Sequence, residues 1–136
     1  MDEDDEADIV WDRACDLLLL DIPGVHEGDR LLAAAIHLDG TFCGSGADAM
    51  PELDERERLD GVAGLRLLGL DAAADIIEDY VAAARRGKRS SRRELKATKA
   101  YNALDVDEQM IERVRLRLEE TPGVFAPADL PRPSRP

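Results

Sequence analysis

An all-α bundle of five to seven helices is what this sequence predicts, on three observations. Leu, Ala, Val and Ile dominate its apolar residues while aromatics make up 4%, a composition that favours helix over strand. Apolar residues recur at three- and four-residue spacing in segment after segment, the period of a helix with one buried face. Pro-Gly, Gly-rich and Thr-Pro-Gly stretches separate these segments at distances that suit short helix connections. At 136 residues the chain has the size of one domain, and neither a repeat nor an internal boundary divides it.

The elements follow in order. Residues 1–6 read as an acidic, disordered arm. A helix over Ala7 to Leu20 carries Val10, Trp11, Ala14, Cys15, Leu17 and Leu18 on its apolar side and stops at Pro23-Gly24. A second runs from Glu27 to Leu38 and gives way to the Gly-rich loop 39–46. A short turn of helix from Ala47 ends before Pro51. Asp54, with Glu57 three residues on, caps a helix that Gly69 closes. Gly61 and Gly64 share one face of it, where they admit a neighbouring backbone. Asp71 caps the next helix, to Ala84. Ser91-Arg92-Arg93-Glu94 is a capping box for another, through Tyr101. Asp105 starts the last, with Met110, Ile111, Val114 and Leu118 inward, and Thr121-Pro122-Gly123 ends it. The helical domain is thus 7–125. Residues 126–136 hold four prolines and read as a disordered tail.

Charge narrows the function. Thirty acidic against eighteen basic side chains give a net charge of -12. Such a chain repels nucleic acid and anionic membranes, which leaves basic proteins as its electrostatic partners. The acidic start is the reverse of a secretory leader, and no apolar run approaches a membrane span. A cytoplasmic chain with reduced thiols is expected.

Catalytic equipment is not legible. Gly44-Ser45-Gly46 lacks the Lys and the strand-to-helix setting of a phosphate loop. His26 and His37 have no second ligand pair at metal spacing, so neither a metal nor a cofactor is expected. Cys15 falls on an apolar stripe, and Cys43 sits in the loop without a basic neighbour to lower its pKa. The expectation is therefore a protein that binds and does not catalyse.

The acids are patterned. Asp5, Asp8, Asp12 and Asp16 share one stripe of the first helix, and Asp71, Asp75, Glu78 and Asp79 form another on a later helix. A stripe of this kind places a carboxylate every ~5 to 6 Å, near the phosphate spacing of a DNA strand. Two neighbouring stripes would imitate a run of phosphates, and these eight residues are the candidate partner-binding set. An ordinary solvated face is the alternative. Between Arg85 and Lys99 stand eight basic residues and one acid. A solvated linker, a dock for the acidic arm of this or a second subunit, and a nucleic-acid contact are its three readings. Pro131 to Pro136 contains a PxxP spacing of the kind polyproline ligands use.

Leu38-Asp39-Gly40-Thr41-Phe42 follows an apolar helix. Further on, Gly61-Val62-Ala63-Gly64-Leu65-Arg66-Leu67-Leu68-Gly69-Leu70 runs straight into Asp71-Ala72-Ala73-Ala74-Asp75-Ile76-Ile77. With Tyr101-Asn102-Ala103-Leu104-Asp105 and Thr121-Pro122-Gly123-Val124-Phe125, this resembles a family of small bacterial all-α proteins that includes a DNA-mimic protein. The resemblance spans residues 30–125. In that family a helix ends in an Asn-Gly-Gly-Phe-like element. Asp39, Gly40 and Phe42 map onto it here, with Gly40 serving a turn and Phe42 the core. The resemblance implies a dimeric acidic protein that occupies the DNA-binding face of a transcription regulator. An immunity or antitoxin-type inhibitor of a basic toxin or nuclease is the alternative reading of the same acidity.

Overall fold

The computed structural model describes residues 6–20 and 26–126. Among them the chain forms six α-helices: α1 (Glu6–Leu20), α2 (Glu27–Ser45), α3 (Glu55–Leu67), α4 (Asp71–Arg85), α5 (Ser91–Asn102) and α6 (Val106–Glu120). Two 3-10 segments, Ala47–Glu52 and Pro122–Val124, complete it. The expected all-α bundle is what the chain builds. No helix among the described residues is long and apolar enough to cross a membrane. Of the expected arm 1–6, residues 1–5 lie outside the described residues, while Glu6 is not part of a disordered arm but the first residue of α1; the tail beyond 126 also lies outside the described residues.

The centre is α2. It packs most extensively on α3, and also on α1 and the first 3-10 segment. A Cβ on Gly64 would stand 2.1 Å from the Leu31 carbonyl oxygen, and one on Gly61 2.8 Å from the Leu38 side chain. Only glycine permits so close a crossing, so the expected role of this pair holds. Leu32, Leu38, Phe42, Met50, Leu65, Leu68, Ile77 and Tyr101 form the middle of the core. The first 3-10 segment carries Pro51 within it, which explains why no full helix forms there.

Several boundaries differ from expectation. α2 does not stop at Leu38 but runs to Ser45, taking Gly40 inside the helix and Cys43 out of the expected loop. Phe42 supplies the reason: it is buried and stacks on Tyr101 with ring centroids 3.9 Å apart. That burial outweighs the glycine penalty of ~1 kcal/mol per residue. Asp71 is the first residue of α4 and not its cap. The cap position is Leu70, which makes no side-chain capping bond. The cap of α5 is Ser90, one residue ahead of the expected Ser91, and its hydroxyl accepts from the Arg93 amide at 3.2 Å. Asp54 caps α3 as expected.

A buried polar clasp joins the ends of the fold. Arg13 on α1 is 4% exposed and Asp29 in the first turn of α2 is 0% exposed. Arg13 Nε donates to Asp29 Oδ1 at 2.9 Å, and Arg13 Nη2 donates to the Ala126 carbonyl at 2.7 Å. The Ala126 amide donates to Asp29 Oδ2 at 2.7 Å. Ala126, expected to begin the tail, is thereby part of the packed domain.

Candidate partner-binding surface

The structure separates the two acidic stripes read from the sequence. α1 lies on α2 and α6, whereas α4 lies on α3, α5 and the first 3-10 segment. They are not the adjacent rows that phosphate mimicry calls for. On α1, Asp8 reaches Arg115 of α6 at 3.7 Å, and Asp12 is exposed. Asp5 lies outside the described residues. Asp16 falls within α1, but its side chain is outside the description.

On α4 most of the stripe is neutralised from within the chain. Arg66 pairs with Asp71 at 3.6 Å and with Asp75 at 2.8 Å. Arg58 on α3 pairs with Glu78 at 3.2 Å. Asp79 alone of the four has no ion pair among the described residues, and it lines a groove between α4 and α5 opposite Arg93 and Lys96. The basic segment is likewise divided. Arg89 donates to Asp48 at 2.6 Å and to Glu52 at 2.9 Å, and Tyr80 donates to Asp48 at 3.0 Å. The Asp48 carboxyl is held below its usual range, chiefly by the bond from Arg89. Arg85 reaches Glu55 at 3.5 Å. Arg86, Lys88, Arg92, Arg93, Lys96 and Lys99 are exposed and without an ion pair among the described residues.

Sequence reasoning read Asp105 only as a helix start and gave Asp107 and Glu108 no binding role. In the structure Glu108, Glu112 and Glu119 are exposed along α6, with Asp107 in its first turn and Asp105 at the position before it, both exposed as well. Of these only Glu112 is ion-paired within the described chain, to Arg115. The spacing 105, 108, 112, 119 was available in the sequence as a helical row. α6 packs beside α1, and the two helices are linked where Arg115 meets both Asp8 and Glu112.

At the edge of this side, α2, α5 and α6 enclose a notch of about 240 Å³ around Asp39, Cys43, Tyr101 and Asp107. Asp39 is 6% exposed and accepts from the Tyr101 hydroxyl at 2.7 Å. Burial pushes its carboxyl above the usual range, against the lowering effect of that bond, and the charge of Asp107 adds to the rise. The Cys43 thiol, 3.7 Å from Asp39 Oδ1, is also pushed up, first by burial and then by the Asp39 charge. The Tyr101 hydroxyl is raised strongly by burial and by Asp39, so it stays a donor. A thiol in this setting is held in its weakly nucleophilic form. Among the described residues no group of His, Cys, Asp or Glu is arranged to hold a metal ion. No protein-family model, curated protein or solved structure matches the chain.

Proposed function

We propose that the chain is a non-catalytic, protein-binding regulator that presents an acidic helical surface to a basic partner. The partner is a DNA-binding protein whose DNA site this surface fills. One observation carries the reading: α1 and α6 are in contact, joined where Asp8 meets Arg115, and the pair carries the exposed acids Asp12, Asp107, Glu108, Glu112 and Glu119, with Asp105 at the start of α6. Asp8 and Asp12 on α1, and Glu108 and Glu112 on α6, each stand ~6 Å apart along their helix, near the phosphate spacing of a DNA strand. Arginines of α3 hold three of the four acids of α4, whereas among the acids named on α1 and α6 ion pairs hold Asp8 and Glu112, both with Arg115.

The test is retention of partners from the host's lysate at low salt, followed by elution with duplex DNA and then with high salt. Release of a regulator by DNA supports the proposal. A toxin or nuclease that resists DNA and leaves only with salt replaces it with the inhibitor reading. Reversing Asp8 and Asp12 with Glu108 to Lys should abolish retention, while reversing Asp71 and Asp75 should leave it nearly intact. Equal loss from both sets would assign the effect to bulk charge and refute the surface.

A further inference from the structure

α5 is the least covered helix of the bundle. Tyr101 is its single buried residue, and its principal contacts are with α4 and the first 3-10 segment. Its outward row is Arg92, Leu95 and Lys99, flanked by Lys96. Leu95 is 56% exposed, and these cations have no acidic partner among the described residues. In a chain of net charge -12 such a row is out of place on a surface built only for solubility. The outward row of α6 is its complement, with Glu112, Leu116 and Glu119 in line and Leu116 44% exposed. Leu95 and Leu116 are two of three large apolar side chains exposed among the described residues.

The two rows agree in register. Arg92 stands three residues before Leu95 and Lys99 four after it. Glu119 stands three residues after Leu116 and Glu112 four before it. On helices running in opposite directions, Leu95 set against Leu116 places Arg92 beside Glu119 and Lys99 beside Glu112, at offsets of ~4.5 and ~6 Å. Alternating three- and four-residue spacing is also the seam by which helices pair in coiled coils. In the parallel direction each pair is displaced by one residue. Within one chain α5 and α6 are consecutive helices that make no substantial contact with each other, so the match is not used internally.

We propose that the outward row of α5 docks antiparallel on the outward row of α6 of a second copy of this chain. Leucine meets leucine at the centre, and ion pairs of opposite sign flank it. A two-fold axis forms the contact twice, since each copy offers both rows. The basic segment thereby gains a role that the acidic surface alone does not explain. Docked α5 also covers part of the α6 row, so self-association and capture of a basic partner compete.

Sedimentation at physiological ionic strength tests this with two variants, Arg92→Glu with Lys99→Glu, and Glu112→Lys with Glu119→Lys. Their helical circular dichroism should match the parent, because these side chains are exposed. Wild type should associate in a concentration-dependent manner, and each variant alone should dissociate roughly tenfold more readily or further. Mixing the two should restore association, because every contact in the mixed pair is again between opposite charges. A wild type that stays monomeric at the highest attainable concentration overturns the proposal. So does association that neither variant weakens, or a mixture that fails to recover it.

Discussion

Replacing Asp29 by Ala removes the carboxylate that holds Arg13 and the Ala126 amide. The guanidinium is 4% exposed and loses its charged partner inside the fold. Breaking a buried pair from one side costs about 3 to 5 kcal/mol, because the surviving charge stays desolvated. The orphaned Ala126 amide and the cavity of the deleted side chain place the loss toward the upper half of that range. For a domain of this length, about 4 kcal/mol corresponds to a fall in melting temperature of roughly 15 °C. The assay is thermal and urea unfolding followed by circular dichroism. Removing both charges, Arg13→Met with Asp29→Leu, should recover part of the loss, since no unpaired ion then remains buried at the clasp. A single variant that melts within about 2 °C of wild type, equivalent to well under 1 kcal/mol, would refute the view that this clasp closes the fold.

Further outcomes follow from the same geometry. Gly64→Ala should destabilise by about 1 to 3 kcal/mol despite alanine's better helix propensity, because its Cβ meets the Leu31 carbonyl. Gly40→Ala, in the same kind of helix but with nothing within 4 Å, should stabilise by about 0.5 to 1 kcal/mol; urea midpoints of the two variants decide it. Asp39 has a folded-state pKa raised by burial, so its protonated form is the one folding favours. Its contribution is present below the unfolded-state pKa and is lost as pH rises through the folded value. Asp39→Asn, which keeps an acceptor for Tyr101, should therefore gain on wild type as pH rises from about 3 to 7, read from urea titrations across that range. A constant difference between the two proteins would show that the Asp39 charge is not penalised. Cys43 should react slowly with a thiol reagent at neutral pH although it is exposed, and Asp39→Asn should speed it; equal rates would contradict the influence of Asp39 on the thiol.

The helices were legible because burial of Leu, Ile, Val and Ala imposes a period that sequence displays directly. Their ends were less so. Gly40, Gly44 and Gly46 argue for a loop, yet Phe42 carries α2 seven residues past Leu38 because its stacking partner, Tyr101, lies 59 residues away in the chain. The Ser90 cap was missed by one position, since Ser90 and Ser91 offer the same hydroxyl. Arg13, Asp29, Asp39 and Arg58 are buried charges. A charged residue is read as outward by default, and only a distant partner reverses that. The site suffered most from this limit. The acids of α4 form a clean row in the sequence, but the arginines that occupy them come from α3. The row on α6 was hidden behind its capping residues. Which rows are neighbours is a matter of packing: α6 returns to α1, and nothing local to either helix announces it.

The separation of charge between α5 and α6 gives the molecule an electrical polarity beyond its net charge. Two copies approaching from afar meet as like-charged bodies and repel. Once within a Debye length, ~8 Å at physiological salt, the opposed rows govern and attract. Dilute salt leaves the long-range repulsion unscreened, and concentrated salt removes the short-range attraction. If the proposed α5–α6 contact forms, encounter between copies should therefore be most productive at an intermediate ionic strength. A small basic partner of the proposed kind would be attracted at every distance and bind best where salt is lowest, so on this proposal the ionic composition of the medium would select between self-recognition and capture.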